Sequence, residues 1–359
     1  MWKLILYLLI SQVYASNCMQ DIVSLLKENF HEPDTSVQEK IPNNFVFNPK
    51  MIRSEKTIYS LSDIHENLNY YISLLCHAGV SVEKKMLKIP GDIILTIHGD
   101  LLDSKNDELK SANSLDSLEG VLKLSTLLLD SNKDNVYFIL GNHELFNFAL
   151  YKLNPNSIEQ LKPNEKNFIQ QFMNISSNEI LLKKISLLQK YWLPLFSTFI
   201  TGLMVEHVHG KLPTGSRSFF LHSGLSKDIS LDSNSTSHSN YTNFLNLKVP
   251  IDRLTTPSGV FKEFPHFINK QYDPQNFGID ENDFDLSGIH TIVTGHCSLI
   301  KDKIENPQEI KQIVKTLGSN ENTTYFVMID SGLQYLDFSL KKLMLHSAFF
   351  KTIPLEINN

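Results

Sequence analysis

Five apolar stretches of this chain stop at side chains that do not belong in a core. "TIYSLSDIHEN" runs into Asp63 and His65, and "IILTIHGDLLD" into Asp100 and Asp103. "VYFILGNHE" runs into Asn142 and His143, "FFLHSG" into His222, and "IVTGHCS" into His296. A charged or polar group at the edge of a core is costly unless something uses it. In open α/β sheets, sites form at the carboxyl ends of strands. Oxygen and imidazole donors converging there are what a divalent ion such as Mn, Fe or Zn requires. The three cysteines form no cluster, so a structural zinc site is not expected.

The pattern around these stretches fixes the fold class. Residues 57–144 alternate strand, helix and strand, which favours an α/β sheet with parallel strands. Leu115 to Leu129 carries apolar residues at helical spacing, and "GNHE" reads as a loop after its strand. Residues 158–198 read as helical, with a stripe through Ile180, Leu181, Ile185, Leu187 and Leu188. Strand signals return in "FITGLMVEHV", "SFFLHSGLS", "HTIVTGHCS", "YFVMIDSGL" and "KKLMLHSAFF". Asp63 and His65 are two apart, so on leaving a strand they are expected to point the same way. Gly99, Gly141 and Gly295 stand beside Asp100, Asn142 and His296, where positive φ or close backbone approach is expected.

With 359 residues, 42% of them hydrophobic, the chain has material for a large core. A net charge of −6 argues against a nucleic-acid surface as its main business. "MWKLILYLLISQVYAS" reads as a signal peptide: Lys3, a short apolar run, then small residues at the cleavage positions. No other run reaches the roughly 18 apolar residues of a membrane span, so no stable membrane insertion is expected. The expected division is a signal peptide over 1–15, an N-terminal extension over 16–50, and one domain over 51–359. A helical insertion at about 150–200 is expected to shape substrate access. The expected location is secreted or periplasmic. Among Cys18, Cys76 and Cys297 one bridge is allowed.

In this order the motifs resemble those of the calcineurin-like metallophosphoesterase superfamily. That pattern is Asp-x-His, Gly-Asp-x-x-Asp, Gly-Asn-His-Glu and two later histidines, here "SDIHEN", "HGDLLDS", "GNHE", "LHSGLS" and "TGHCS". The resemblance spans residues 57 to about 340. "HSGLS" looks like a segment of the phosphoprotein phosphatases, and "TGHCS" followed by "MIDSGL" looks like bacterial-type members, including Shewanella-like phosphatases. The resemblance implies a four-layer α/β/β/α sandwich: two mixed β-sheets flanked by helices, holding two divalent metal ions. Carried over by motif, Asp63 and His65 would bind the first ion and Asp100 would bridge both. Asn142, His222 and His296 would hold the second, and His143 and Asp103 would be a catalytic pair.

Elementary chemistry supports that division. Two cations neutralise a phosphate ester's charge and generate a bridging hydroxide as nucleophile. A bridging ligand needs two oxygens, as Asp100 has. The leaving alkoxide needs a proton, which His143 would supply as general acid with Asp103 holding its imidazole protonated. Glu144 is expected to fix the loop from behind. The implied activity is hydrolysis of phosphomonoesters, with phosphoprotein (Ser/Thr or Tyr) as the leading substrate. A nucleotide or other small phosphoester is the alternative. A catalytically silent metal-binding module that recognises a partner is the reading from a different class. Oligomeric state is left open.

The departures concern substrate. Phosphoprotein phosphatases have an arginine after the second aspartate, which grips phosphate through paired hydrogen bonds. Here Ser104 stands there, followed by Lys105, a point charge that could substitute. Arg253, between the late histidines, is either a phosphate-binding residue or an ordinary surface arginine. Ser62 and Glu66 replace glycines that usually flank the first motif. His98 either supports the site from behind or is simply packed in the sheet; His207 and His209 read as a surface strand face.

Overall fold

The computed structural model describes residues 17–28, 44–103, 114–152, 161–172, 175, 177–208, 217–223, 247–254, 256, 259–260, 289–296, 314–317, 324–329, 333–337, 343–347 and 352–355. The signal segment, Ser104, Lys105, His209 and Cys297 lie outside the described residues.

In chain order the elements begin with a helix over residues 17–28 (α1). Then come β1 (Val46–Phe47), β2 (Lys50–Ser54), β3 (Thr57–Leu61), α2 (Leu68–His77), β4 (Ser81–Glu83), β5 (Met86–Lys88) and β6 (Ile93–His98). Next are α3 (Ser114–Asn132), β7 (Val136–Ile139), α4 (Asn142–Lys152), α5 (Pro163–Phe172) and α6 (Asn178–Phe196). After α6 come β8 (Leu203–His207), β9 (Arg217–Phe220), β10 (Val249–Pro250), a 3-10 turn (Ile251–Arg253), β11 (Ile289–Thr294), β12 (Val314–Leu317), β13 (Thr324–Met328), β14 (Leu333–Asp337), β15 (Leu343–Ser347) and β16 (Thr352–Leu355).

One sheet has the order β3-β6-β7, all parallel. The antiparallel set β14-β15-β16 lies beside it, with β14 alongside β3. The other sheet has the order β12-β13-β11-β9-β8-β2. It is mixed: β9, β11 and β13 run parallel, and β8 and β12 are antiparallel to their neighbours β9 and β13. With the two-stranded pairs β1-β10 and β4-β5, these make a mixed α/β fold of several sheets and helices, consistent with the one the resemblance implies.

Every residue of β6 is buried, as expected of a parallel strand covered on both faces. Its two faces do different work. Leu95 and Ile97 join Leu61, Val136 and Phe138 in a core shared with α2, α3, α4 and α6. Thr96 and His98 alternate with them and make a polar line on the opposite face. Ser60 Oγ and Thr96 Oγ1 share a hydrogen bond of 2.8 Å, and Thr96 donates to His98 Nε2 at 3.0 Å.

The N-terminal segment is part of this body. Cys18, Ile22 and Leu25 are buried in the helical core, and a Cys18–Cys76 disulfide ties α1 to α2. The segment 163–196 is equally integral, since Leu181, Ile185 and Leu188 of α6 are fully buried and α6 packs on α3 and α4.

One local expectation changes, and one turn went unread. "GNHE" is not a loop: Asn142 begins α4, with Glu144 in its first turn. The turn at Lys84 and Lys85, both at positive φ, closes a β4–β5 hairpin that no Asn-Gly signal announces.

Candidate active site

The parallel strands β3, β6 and β7 end side by side, and β9 and β11 end opposite them. The seam is made by backbone groups. His222 Nδ1 donates to the His98 carbonyl at 2.6 Å, and His98 Nδ1 donates to the Leu221 carbonyl at 3.0 Å. The His296 backbone N–H donates to Asp63 Oδ2 at 3.1 Å. All five strand ends therefore meet.

The chain bends sharply to achieve this. Among the described residues eight non-glycines have positive φ, and six lie here: Asp63 (54°), His65 (47°), Glu66 (59°), Asp100 (51°), Asp103 (67°) and His296 (67°). Such backbone costs roughly 1–2 kcal/mol per residue and clusters where function holds it in place. Asp63 and His65 thus reach the site through a left-handed turn rather than through strand alternation. Gly99 does take positive φ, at 68°. Gly141 and Gly295 serve close approach instead: a Cβ on Gly141 would strike Asp100, and one on Gly295 would strike Ser62 and Asp63.

Two sets of donors converge and share one residue. His65, Asp100 and His143 form one triplet able to hold a metal ion; Asp100, His222 and His296 form the other. Asp100 presents a different oxygen to each. Its Oδ2 lies 3.9 Å from His65 Nε2 and 3.8 Å from His143 Nε2, while its Oδ1 lies 3.3 Å from His222 Nε2. Asp63 flanks the first triplet, with Oδ1 3.6 Å from His65 Nε2. Asn142 flanks the second, with Oδ1 3.0 Å from His222 Nε2.

The tautomers fit metal ligation. His65 Nδ1 donates to the Asp103 carbonyl at 2.9 Å, which leaves a lone pair on Nε2. That Nε2 is buried and has no hydrogen-bond partner. His222 Nδ1 is likewise committed to a carbonyl, so its Nε2 lone pair meets the oxygens of Asn142 and Asp100 and, at 3.2 Å, His296 Nδ1. Lone pairs crowded this closely need positive charge among them, which a divalent ion would supply.

Behind the triplets, Glu144 is a staple. Its carboxylate accepts backbone N–H groups from Asp100 at 2.6 Å, Leu101 at 2.8 Å and Gly141 at 2.9 Å, the loop-fixing position expected of it. Burial pushes its carboxyl up to about 7, against the pull of those donors. His98 is satisfied on both ring nitrogens and also lends its carbonyl to His222, so the two readings of it both hold.

His143 Nδ1 bonds Asp103 Oδ2 at 2.8 Å, a contact between the two residues that the resemblance pairs. Besides His65 on its carbonyl, three further partners of Asp103 escaped the sequence. Asn147 Nδ2 donates to Oδ2 at 2.7 Å, and Asp103 N–H donates to Glu66 Oε1 at 2.9 Å. Lys184 Nζ, from α6, contacts Asp103 Oδ1 and bonds Glu66 Oε1 at 2.8 Å. Burial opposes the Asp103 charge, yet Lys184 and His143 outweigh it and hold the carboxyl well below the usual carboxylate range. Burial opposes the Lys184 charge as well, yet Asp103 and Glu66 hold its ammonium above the usual lysine range. The signal for Lys184 was its place in the helix: it shares the face of Leu181, Ile185 and Leu188. Asn147 follows His143 by one turn of α4.

Arg253 sits exposed on a 3-10 turn, Ile251–Arg253, and the structure does not join it to the metal-type residues by a described bond. His207 is not a surface residue; it is half-buried, bonded to Ser218 Oγ at 2.9 Å, and burial lowers its pKa to about 4.

A family model described as calcineurin-like phosphoesterase matches residues 56–297. No curated protein matches the chain. Among solved structures it is similar to a cold-active protein tyrosine phosphatase, at 15% identity over 90% of this chain and 84% of that one, with a TM-score of 0.46. It is also similar to the cold-active protein-tyrosine phosphatase of a psychrophilic Shewanella species, at 14% identity over 91% and 89%, TM-score 0.46. A Saccharomyces cerevisiae protein serine/threonine phosphatase with similarity to human phosphatase PP5 matches at 9% identity over 89% and 76%, TM-score 0.29.

Proposed function

The chain belongs to the calcineurin-like phosphoesterase family and is a metal-dependent hydrolase of phosphoesters, and from that premise we propose a binuclear phosphomonoesterase. One observation carries the reading: Asp100 turns one oxygen to His65 and the other to His222, so it can serve two neighbouring ions. Asp63, His65 and Asp100 would hold one ion; Asp100, Asn142, His222 and His296 the other. Nitrogen and oxygen donors of this kind suit Mn, Fe or Zn. When bound, such ions neutralise the ester's charge and activate water.

The remaining work falls to the chain itself. His143 Nε2 faces Asp100 and is the group placed to give a proton to the leaving oxygen. Asp103 accepts from His143 Nδ1, which fixes the ring and stabilises its charged form. The Asp103 carboxylate stays ionised throughout because Lys184 faces its other oxygen. Lys105 and Arg253 are kept as candidate contacts to the substrate phosphate. Phosphorylated protein is the substrate class proposed, on the likeness of "HSGLS" to the phosphoprotein phosphatase motif. Export is part of the same proposal: the signal-like N-terminus supports it, and so does the Cys18–Cys76 bridge, a bond at home in oxidising compartments.

The test is an assay panel of phosphopeptides against nucleotides, run on the mature protein, on metal-stripped protein and on Asp100→Asn. We expect hydrolysis that needs added metal, prefers phosphopeptides, and is lost in Asp100→Asn. Full activity of Asp100→Asn would refute the shared-ligand mechanism. Faster turnover of nucleotides would refute the substrate class alone.

A further inference from the structure

Lys184 is the least expected residue near the site. It comes from α6, 81 residues beyond Asp103 and 118 beyond Glu66, and it is 3% exposed. Its two partners are both buried carboxylates. Burying three charges carries a large desolvation penalty, and an apolar replacement would often be as stable. Stability is therefore a weak reason for this arrangement, and its position offers a better one.

Asp103 is held from every side. Oδ1 faces Lys184, Oδ2 accepts from His143 and Asn147, and the backbone N–H is anchored on Glu66. Turning the carboxylate would swing the His143 ring, because the two are joined at 2.8 Å. Lys184 is the partner of Oδ1 among the described residues, so it sets that rotation. Glu66 stands where the resemblance places a glycine, and it supplies the second carboxylate that keeps Lys184 in place. The departure at residue 66 and the lysine in the core of α6 are two halves of one device.

We infer that Lys184, braced by Glu66, is a positioning residue that holds Asp103 and thereby aims His143 at the leaving group. This rests on the reading of His143 as general acid. Proton delivery from His143 then depends on helix α6 being seated.

The experiment compares leaving groups. An alkyl phosphate such as glycerol phosphate needs a proton on departure, whereas 4-nitrophenyl phosphate barely does. Lys184→Met alone unbalances buried charge, so the charge-balanced pair K184M/E66Q is measured beside it, with metal content checked in each. His143→Asn is the reference. We expect K184M/E66Q to bind metal normally and to lose about tenfold or more in kcat on glycerol phosphate, a part of the general-acid contribution. Its kcat on 4-nitrophenyl phosphate should stay within about twofold, with KM unchanged. Lys184→Arg should recover part of the loss. Equal losses on both substrates, or none, alongside a selective loss in His143→Asn, would overturn the role of Lys184 and leave His143 intact. Absence of a selective loss in His143→Asn would overturn the acid reading and this inference with it.

Discussion

On one side of Asp100 the donors are backed by charge, and on the other by peptide groups. His65 and His143 have behind them Asp103, Glu66 and Lys184, three buried ionisable groups in contact. Asn142, His222 and His296 have behind them the carbonyl of His98 and the backbone of the strand ends. His98, the ring behind His222 on that side, is kept neutral by burial, which pulls its pKa down to about 4. On the proposed reading the first side holds and moves a proton, and the second presents lone pairs to a metal ion.

The sharpest way to break this comparison is to substitute one histidine on each side. His143→Asn should leave metal content near normal and lower kcat on alkyl phosphates by about 10²–10⁴-fold, the usual range for a lost general acid. His222→Asn should do the reverse, losing metal first and activity through it. Metal analysis with steady-state kinetics separates the two; equal metal loss in both would erase the distinction.

A smaller effect is expected from the frame of the charged side. The disulfide ties α1 to α2, and α2 begins just after His65 and Glu66. Its sequence separation is 58 residues, for which loop-closure entropy gives about 4 kcal/mol of stabilisation. Cys18→Ser should lower the denaturation midpoint accordingly, with a circular-dichroism titration as the readout. An unchanged midpoint would mean that the charged side stands without the bridge.

The smallest effect concerns the neutral side and pH. The folded-state pKa of His98 is about 4, below the ordinary 6.5. A base with a lowered folded pKa binds more protons when unfolded, so it costs stability as pH falls from about 6.5 and the cost levels off below about 4. Over that window the loss amounts to about 3 kcal/mol. Unfolding of metal-free protein, followed from pH 7 to pH 4, should include this contribution, and His98→Gln should reduce the slope by that amount. An unchanged slope in His98→Gln would place the acid sensitivity elsewhere.

What could be read from the chain, and what could not, follows the same division. The donors Asp63, His65, Asp100, Asn142, His222 and His296 stood out because each interrupts an apolar run at a strand end, which is a local signal. Lys184 did not, because one lysine in an amphipathic helix looks solvated until its face is compared with Leu181, Ile185 and Leu188. Its partners are distant in sequence, and nothing in the spacing of the motifs points to them. Glu66 registered only as a missing glycine, since its function needs a lysine that arrives with α6. The left-handed turns at Asp63, His65 and His296 were unreadable for a related reason: propensity disfavours them, and only the converging network holds them there. The parallel order β3-β6-β7 was legible from its alternating strands and helices, whereas β14, lying beside β3, comes from the far end of the chain.

The central claim is that Asp100 joins two ions into one site. The direct measurement is a titration of metal-stripped protein with Mn²⁺, counting ions bound per chain while following hydrolysis of 4-nitrophenyl phosphate. The account predicts two ions per chain in the native protein, with activity appearing as the second binds, and fewer than two together with lost activity in Asp100→Asn. Full activity with a single ion bound, or two ions and full activity in Asp100→Asn, would contradict it.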